Sequence, residues 1–169
     1  MMSKNTEKIN LFRNVWSKFP TGVSIITTLD ENKSYHGMTA ASVTSVSLNP
    51  LLILVVVGTE RKSHKFIKLS GVFGINFLTK DQKNIANYFS HSQSNYNDKD
   101  LDLEKDIFSE IEGVPIIKKS LASMRCEVFD DISAGDHTIF IGKVHDIISS
   151  DNEPLVWSNR NYGQFIQSR

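Results

Sequence analysis

MTAASVTSVSLNPLLILVVV, residues 38–57, divides at Asn49-Pro50 into two halves of different character. The second half, Leu51 to Val57, is an unbroken run of Leu, Ile and Val and reads as a buried strand. The first half interleaves Thr39, Ser42, Thr44, Ser45 and Ser47 with Ala40, Ala41, Val43 and Val46. These residues form strands readily but mark no clean apolar face. Their side chains are short enough for a flat ligand to reach the backbone, so the segment is expected to floor a ligand site.

Upstream of this stretch, apolar residues at Ile9, Phe12, Val15 and Trp16 carry helical spacing, which predicts a helix over about 6–17. Thr6 is placed to cap it, and Phe19-Pro20 ends it. TGVSIITT then reads as a strand, residues 29–33 as a polar turn, and Tyr35-His36-Gly37 as the return strand into the opening stretch. Downstream, Ser63 is expected to cap a short helix over KFIKL, and VFGINFL is a strand. Asp81 is expected to begin a helix with Ile85, Ala86 and Phe89 on one face. Residues 91–112 form a polar, acidic excursion. Asp98, Asp100 and Asp102 alternate there as in a calcium loop, but Leu103 and Ser109 stand where that loop needs glycine and glutamate. Residues 121–129 and 137–148 read as two long strands, PLVW as a short last strand, and NRNYGQF as a tail. No repeat or linker divides the chain. Many β-runs without βαβ alternation predict one domain over 1–169, mainly β, a small antiparallel barrel over about 20–165 with peripheral helices.

Composition narrows the function. The chain has 169 residues, with Lys plus Arg and Asp plus Glu both at 19. That balance argues against nucleic-acid or membrane-surface binding. The single cysteine, Cys126, excludes an internal disulfide or a CxxC site, and it falls on the apolar phase of a strand with Met124 and Val128. No apolar run is long enough for a secretory leader or a membrane span, so a cytoplasmic protein is expected. Phosphate-cradling glycine loops, a GxSxG elbow and paired-His metal spacing are all missing, so no metal is expected. What remains is the hydroxyl-rich strand, the basic turn Arg61-Lys62-Ser63-His64, and His137 in a Gly-Asp-His turn.

These three features suit a flavin bound without a Rossmann fold. Such a site needs a flat slot, donors near the ring edge where charge grows on reduction, and cations for a phosphate. Each feature also has a plainer reading: an edge strand, a solvated turn and a structural histidine. On residues alone, ligand binding stays one of two possibilities.

FPTGVSIITT, GMTAASVTSVSLNPLLILVVV, the RKSH turn, SGVFGINFLTKDQ and AGDHTIFIGKV, in this order, resemble the short-chain flavin reductase family, from about Phe19 to Tyr162. The resemblance implies a split β-barrel, usually a homodimer, that reduces FMN or FAD with NADH or NADPH. Such proteins often pass the reduced flavin to a partner flavin-dependent monooxygenase. By position, the resemblance assigns Thr39, Ala40, Ala41, Ser42, Thr44 and Ser45 to the flavin-contacting strand. Val57, Gly58 and Thr59 border the ring, Lys62, Ser63 and His64 form the phosphate-side turn, and Asn76 and Phe77 make further flavin contacts. His137 becomes the catalytic and nicotinamide-side residue, with Arg160 and Tyr162 in a tail that approaches the pyridine nucleotide. The competing class is a flavin-binding or electron-transfer protein on the same barrel, without nicotinamide docking. A weaker one is a dimeric barrel for another ligand. Flavin-dependent NAD(P)H oxidation separates the first two.

Overall fold

A computed structural model describes residues 4–91 and 107–166. Its helices are α1 (Lys4–Ser17), α2 (Lys62–Ser70) and α3 (Lys83–Ser90). The first strands are β1 (Thr21–Gly22), β2 (Ser24–Leu29), β3 (Tyr35–Ala40), β4 (Val43–Leu48), β5 (Leu51–Gly58) and β6 (Val72–Phe77). They are followed by β7 (Phe108–Ile111), β8 (Val114–Ile117), β9 (Ala122–Ala134), β10 (His137–Ser149), β11 (Leu155–Ser158) and β12 (Asn161–Gln164).

Seven strands make one antiparallel sheet in the order β3-β2-β6-β9-β10-β5-β4. Its two edges, β3 and β4, are consecutive in the chain with only Ala41 and Ser42 between them. That link can span at most about 11 Å, so the edges must meet at this end. They share no ladder, and the barrel is split rather than closed. A second sheet, β1-β11-β12, flanks the opening, and β7 pairs with β8.

Strand β5 shows how the core is built. Ile53, Val55 and Val57 point inward and are buried, while Leu52, Leu54 and Val56 are only half-buried. The run is apolar throughout, yet the period of two leaves one face free for something else. Inside, Phe73, Phe140 and Cys126 pack with Ile67 and Ile75. A Cβ at Gly142 would come within 3.0 Å of Cys126 Cβ and strike the Phe73 ring, so glycine lets that ring fill the barrel. Burial pushes the Cys126 thiol up to about 12, which makes it a packed, unreactive side chain.

Several local expectations change. Arg61, not Ser63, is the N-cap of α2, and Ser63 sits buried within the first turn. The α3 region opens with a short 3₁₀ turn, Lys80–Gln82, capped by Thr79 and Gln82 in a capping box. The end of the expected excursion is strand β7, because Phe108 packs against Tyr35 and Phe89. The calcium-loop residues Asp98, Asp100 and Asp102 lie outside the described residues. The tail folds back as β12 on β11, with Tyr162 packed on Trp157 at 4.8 Å. Helix α1 buries none of its residues. Its last carbonyl, on Ser17, accepts the Asn159 N–H at 2.6 Å, which ties the helix end to the β11–β12 turn.

Candidate functional site

Where the barrel splits, a groove of ≈ 710 Å³ opens. One wall is the β3–β4 link and the start of β4, Ala41 to Thr44. Thr21 to Ser24, where β1 passes into β2, also line the groove. Leu54 and Val56, from the free face of β5, line the base, and Phe77 and Leu121 stand further along. Trp16 and Phe19 close one side; their rings stack at 5.6 Å.

The chemistry of these walls is mixed in a specific way. The base and roof are apolar and aromatic, suited to a flat ring. Small residues open the walls: a Cβ placed on Gly22 would meet nothing within 4 Å. Ser42 is anchored through its carbonyl, which accepts Val56 N–H at 3.1 Å, while its hydroxyl makes a long 3.3 Å bond to Val56 O. The Thr44 hydroxyl makes no hydrogen bond among the described residues. Thr21 Oγ1 is closed off from water and also has no partner. An apolar slot with the exposed Ser42 and Thr44 hydroxyls on one wall fits an isoalloxazine with its polar edge.

Further along β5, the outward face continues from Val56 to Gly58, about 7 Å away on the same side of the strand. Gly58 pairs with His137 across the β5–β10 ladder. His137 Nε2 lies 3.7 Å from where a Gly58 Cβ would stand, so the missing side chain leaves room beside the imidazole. The other ring nitrogen, Nδ1, is 2.6 Å from Asp136 Oδ1. That contact holds the Asp136 carboxyl below the usual carboxylate range. Thr59 fixes the turn, its N–H and hydroxyl both donating to Asp136 O at 3.0 and 3.2 Å. The imidazole is half-exposed at the end of a fixed hairpin, with the groove base one step along the strand.

The structure divides the sequence-derived residues into three groups. Ala41, Ser42, Thr44 and Phe77 line the groove. Gly58, Thr59 and His137 form the adjoining barrel end, with Lys62 exposed at the start of α2. The rest make contacts within the protein or lie outside the groove lining. Thr39 donates its hydroxyl to Ala86 O at 2.6 Å, and Ala40 and Val57 are buried. Ser63 Oγ lies 2.7 Å from His36 Nε2, and His64 Nε2 lies 2.8 Å from Thr138 Oγ1. Asn76 is wholly buried, donating to Ile25 O and Thr27 Oγ1 and accepting from Ile117 N–H and Ser123 Oγ. Ser45 is exposed on β4 outside the groove lining. Arg160 sits at the β11–β12 turn beside the end of α1, and Tyr162 packs edge-on against Trp157, with Lys83 Nζ 5.7 Å from its ring centroid. No cluster able to hold a metal occurs among the described residues, and none of their helices is long and apolar enough to cross a membrane.

Sequence reasoning missed Trp16, Phe19, Thr21, Gly22, Leu54 and Val56. The signal for the β5 pair was present in the period of two. Pro20-Thr21-Gly22 could have been read as a break that exposes backbone between two strands.

Comparison with known proteins gives a consistent picture. The model of the flavin reductase like domain family matches residues 16–165. An NADH-dependent flavin reductase of Rhodococcus sp is 34% identical over 147 residues, covering 86% of this chain and 80% of that one. The reductase component of a 4-nitrophenol 4-monooxygenase/4-nitrocatechol 2-monooxygenase from Rhodococcus opacus is 31% identical, covering 94% and 82%. Among solved structures, the flavin reductase PheA2 in its native state superposes with a TM-score of 0.82 at 40% identity, covering 98% of this chain and all of that one.

Proposed function

Because the chain belongs to the flavin reductase-like family, we propose a division of its site in which the split-barrel groove holds the flavin and the Asp136–His137 turn receives the nicotinamide. The protein is an NAD(P)H-dependent flavin reductase, with FMN or FAD as acceptor and NADH or NADPH as donor. The observation that carries the division is the free face of β5. Leu54 and Val56 form the groove base, and two residues further Gly58 clears a space beside His137.

When bound, the two cofactors supply the redox chemistry, a hydride passing from nicotinamide to flavin. The chain's own residues provide position and environment. Trp16, Phe19, Leu54 and Val56 exclude water from a ring lying in the groove. Ser42 and Thr44 offer hydroxyls to polar atoms at its edge, and Phe77 closes the inner end. Lys62 and the first turn of α2 provide positive charge and N–H groups for a phosphate. His137, held at Nδ1 by Asp136, presents Nε2 over the space at Gly58 to the second substrate. Arg160 and Tyr162, on the hairpin tied to α1, form the outer boundary for the pyridine nucleotide.

His137→Ala tests the division. It should raise the nicotinamide KM or slow flavin reduction by about tenfold, while the flavin Kd, measured without nicotinamide, stays constant. Kinetics equal to wild type would remove His137 from the site.

Two partners complete the proposal. A second copy of the chain covers the apolar side chains of α1 and β4, including Phe12, Trp16, Val46 and Leu48, all exposed in the single chain; sedimentation equilibrium should return a dimer mass. A separate flavin-dependent monooxygenase consumes the reduced flavin, as the printed role of the 4-nitrophenol relative suggests. We place this exchange in the cytoplasm, where the lone thiol Cys126 stays reduced.

A further inference from the structure

We propose that His64 is a positioning residue: by bonding Thr138 from inside the barrel, it fixes the direction in which His137 presents its imidazole to the nicotinamide. This rests on His137 receiving the nicotinamide. His64 Nε2 lies 2.8 Å from Thr138 Oγ1, and its ring centroid stands 5.4 Å from that of the buried Phe140. Thr138 follows His137 directly, is 3% exposed, and pairs with Val57 on one side and Ser133 on the other. The bond to His64 is the one hydrogen bond the Thr138 hydroxyl makes among the described residues.

His137 needs such a hold. It is the first residue of β10, its side chain is half-exposed, and Gly58 across the ladder offers no side chain to pack against. The Asp136 carboxylate bonds Nδ1 but is itself exposed on the hairpin turn, so it aims the ring only as well as the backbone beneath is held. Successive side chains of a strand point to opposite faces, so the inward Thr138 and the outward His137 turn together about the strand axis. Pinning Thr138 Oγ1 inside the barrel therefore fixes the end of the β5–β10 ladder and the aim of the imidazole outside it. Helix α2 can act as the fixed point. Ser63, next to His64, lies 2.7 Å through Oγ from His36 Nε2 on β3, and Ile67 is wholly buried. Neighbouring residues of one helical turn thus bond two different strands, and the turn that carries Lys62 moves as a unit with the strand that carries His137. A group that must meet a reacting ring loses effect steeply when displaced by about 1 Å.

A role through His137 predicts non-additivity, which a purely structural role would not produce. In the double variant His64→Phe, Thr138→Val both polar partners become apolar groups of similar shape, so the bond is lost without orphaning either partner. Its kcat/KM for the nicotinamide should fall about three- to fivefold, while the flavin Kd, measured without nicotinamide, stays within about twofold. The same double change made in His137→Ala should lower kcat/KM no further, because the group it acts through is gone. His64→Gln carries an amide that can donate or accept at about the reach of Nε2, and should keep kcat/KM within about twofold of wild type.

The experiment measures kcat/KM for NADH and NADPH, the Kd of FMN and FAD, and the melting temperature. It compares wild type, the double variant, His64→Gln, His137→Ala, and the double variant combined with His137→Ala. A fall in the double variant that is absent from the His137→Ala background and recovered in His64→Gln supports the proposal. Wild-type kinetics in the double variant, beside a loss in His137→Ala, overturn the role of His64 and leave His137 in the site, whatever the melting temperature does. Wild-type kinetics in both remove His137 from the site and His64 with it. An equal further loss in the His137→Ala background, or a flavin Kd raised by the same factor, overturns the proposal, because the effect then does not pass through His137. A loss in His64→Gln as large as in the double variant overturns it as well.

Discussion

The barrel frame and the groove walls are built from the same residue types and treat them oppositely. In the frame, Thr27, Thr28, Thr39, Ser63, Asn76 and Ser123 each give their polar atoms to the protein. The Thr27 hydroxyl bonds Pro115 O, and Thr28 Oγ1 donates to Val72 O at 2.9 Å. In the walls, Thr21 and Thr44 have no internal partner, and Ser42 has only a long one. Hydroxyl-rich β sequence therefore has two uses, to knit strands where the sheet closes on itself and to stay open where it splits. Position in the fold decides which use applies, since the frame side chains bond to β2, β3, β6, β8, β9, α2 or α3 while Ser42 and Thr44 line the gap. Substitutions in the frame should act on stability and those in the walls on ligand affinity.

The sharpest way to break that contrast is Asn76→Ala. The change strips the acceptor from Ile117 N–H and Ser123 Oγ and the donor from Ile25 O and Thr27 Oγ1, all inside the barrel. Leaving buried groups unpaired should cost about 3 kcal/mol, roughly 6–12 °C in melting temperature for a chain of this size. Denaturation reads the loss directly. A melting temperature within a degree of wild type would mean that Asn76 is not the knot its contacts describe.

A second frame pair makes the contrast depend on pH. Burial, and then the nearby Lys62 charge, lower the His36 pKa from 6.5 to about 4. The folded chain therefore holds His36 neutral where the unfolded chain takes up a proton. Stability is unaffected above pH 6.5 and is lost progressively as pH falls from there toward about 4. The loss is on the order of 2 kcal/mol, allowing for partial exposure. His36→Phe should flatten that part of the stability curve, measured by urea denaturation at several pH values. An equal slope in both proteins would assign the acid sensitivity to other groups.

How much of this was legible follows from the same contrast. The hydroxyl content of residues 38–48 was visible, and so was the buried face of β5. The ordered segments pointed to the barrel and to the flavin. Which hydroxyls stay free was not visible, because Thr39 is claimed by α3 and Ser63 by His36, partners 47 and 27 residues away. The four partners of Asn76, drawn from β2, β8 and β9, were hidden for the same reason. The groove's second wall was missed because PTGV reads as ordinary strand entry, and its meaning depends on where the barrel splits. Strand period could have shown Leu54 and Val56, since a run of seven apolar residues in one strand must send some of them to the other face.

On the wall side, the double variant Ser42→Ala, Thr44→Val should leave the melting temperature within about 1–2 °C of wild type, because neither hydroxyl makes a short internal bond. Its flavin Kd should rise by about three- to tenfold, as expected for one or two neutral hydrogen bonds. Isothermal titration without nicotinamide measures it. Loss of stability without loss of affinity would move this wall into the frame.

The smallest expected effect lies where the groove meets the barrel end. Asp136 is fully exposed, yet it bonds His137 Nδ1 and its carboxyl is held below the usual carboxylate range, chiefly by that bond. A depressed carboxyl stays ionised above its ordinary pKa and is lost only as pH falls through the lowered one. The Asp136 charge should therefore be constant from about pH 5 to 8. Asp136→Asn keeps the shape of the side chain but loses its charge. The nicotinamide KM should rise about two- to threefold across that whole range, with kcat and flavin Kd nearly unchanged. Thr59 continues to fix the turn through the Asp136 carbonyl, so the hairpin itself survives the substitution. A KM change confined to part of the range would show that the Asp136 charge does not set the interaction. No change at any pH would leave His137 positioned by the β5–β10 ladder alone.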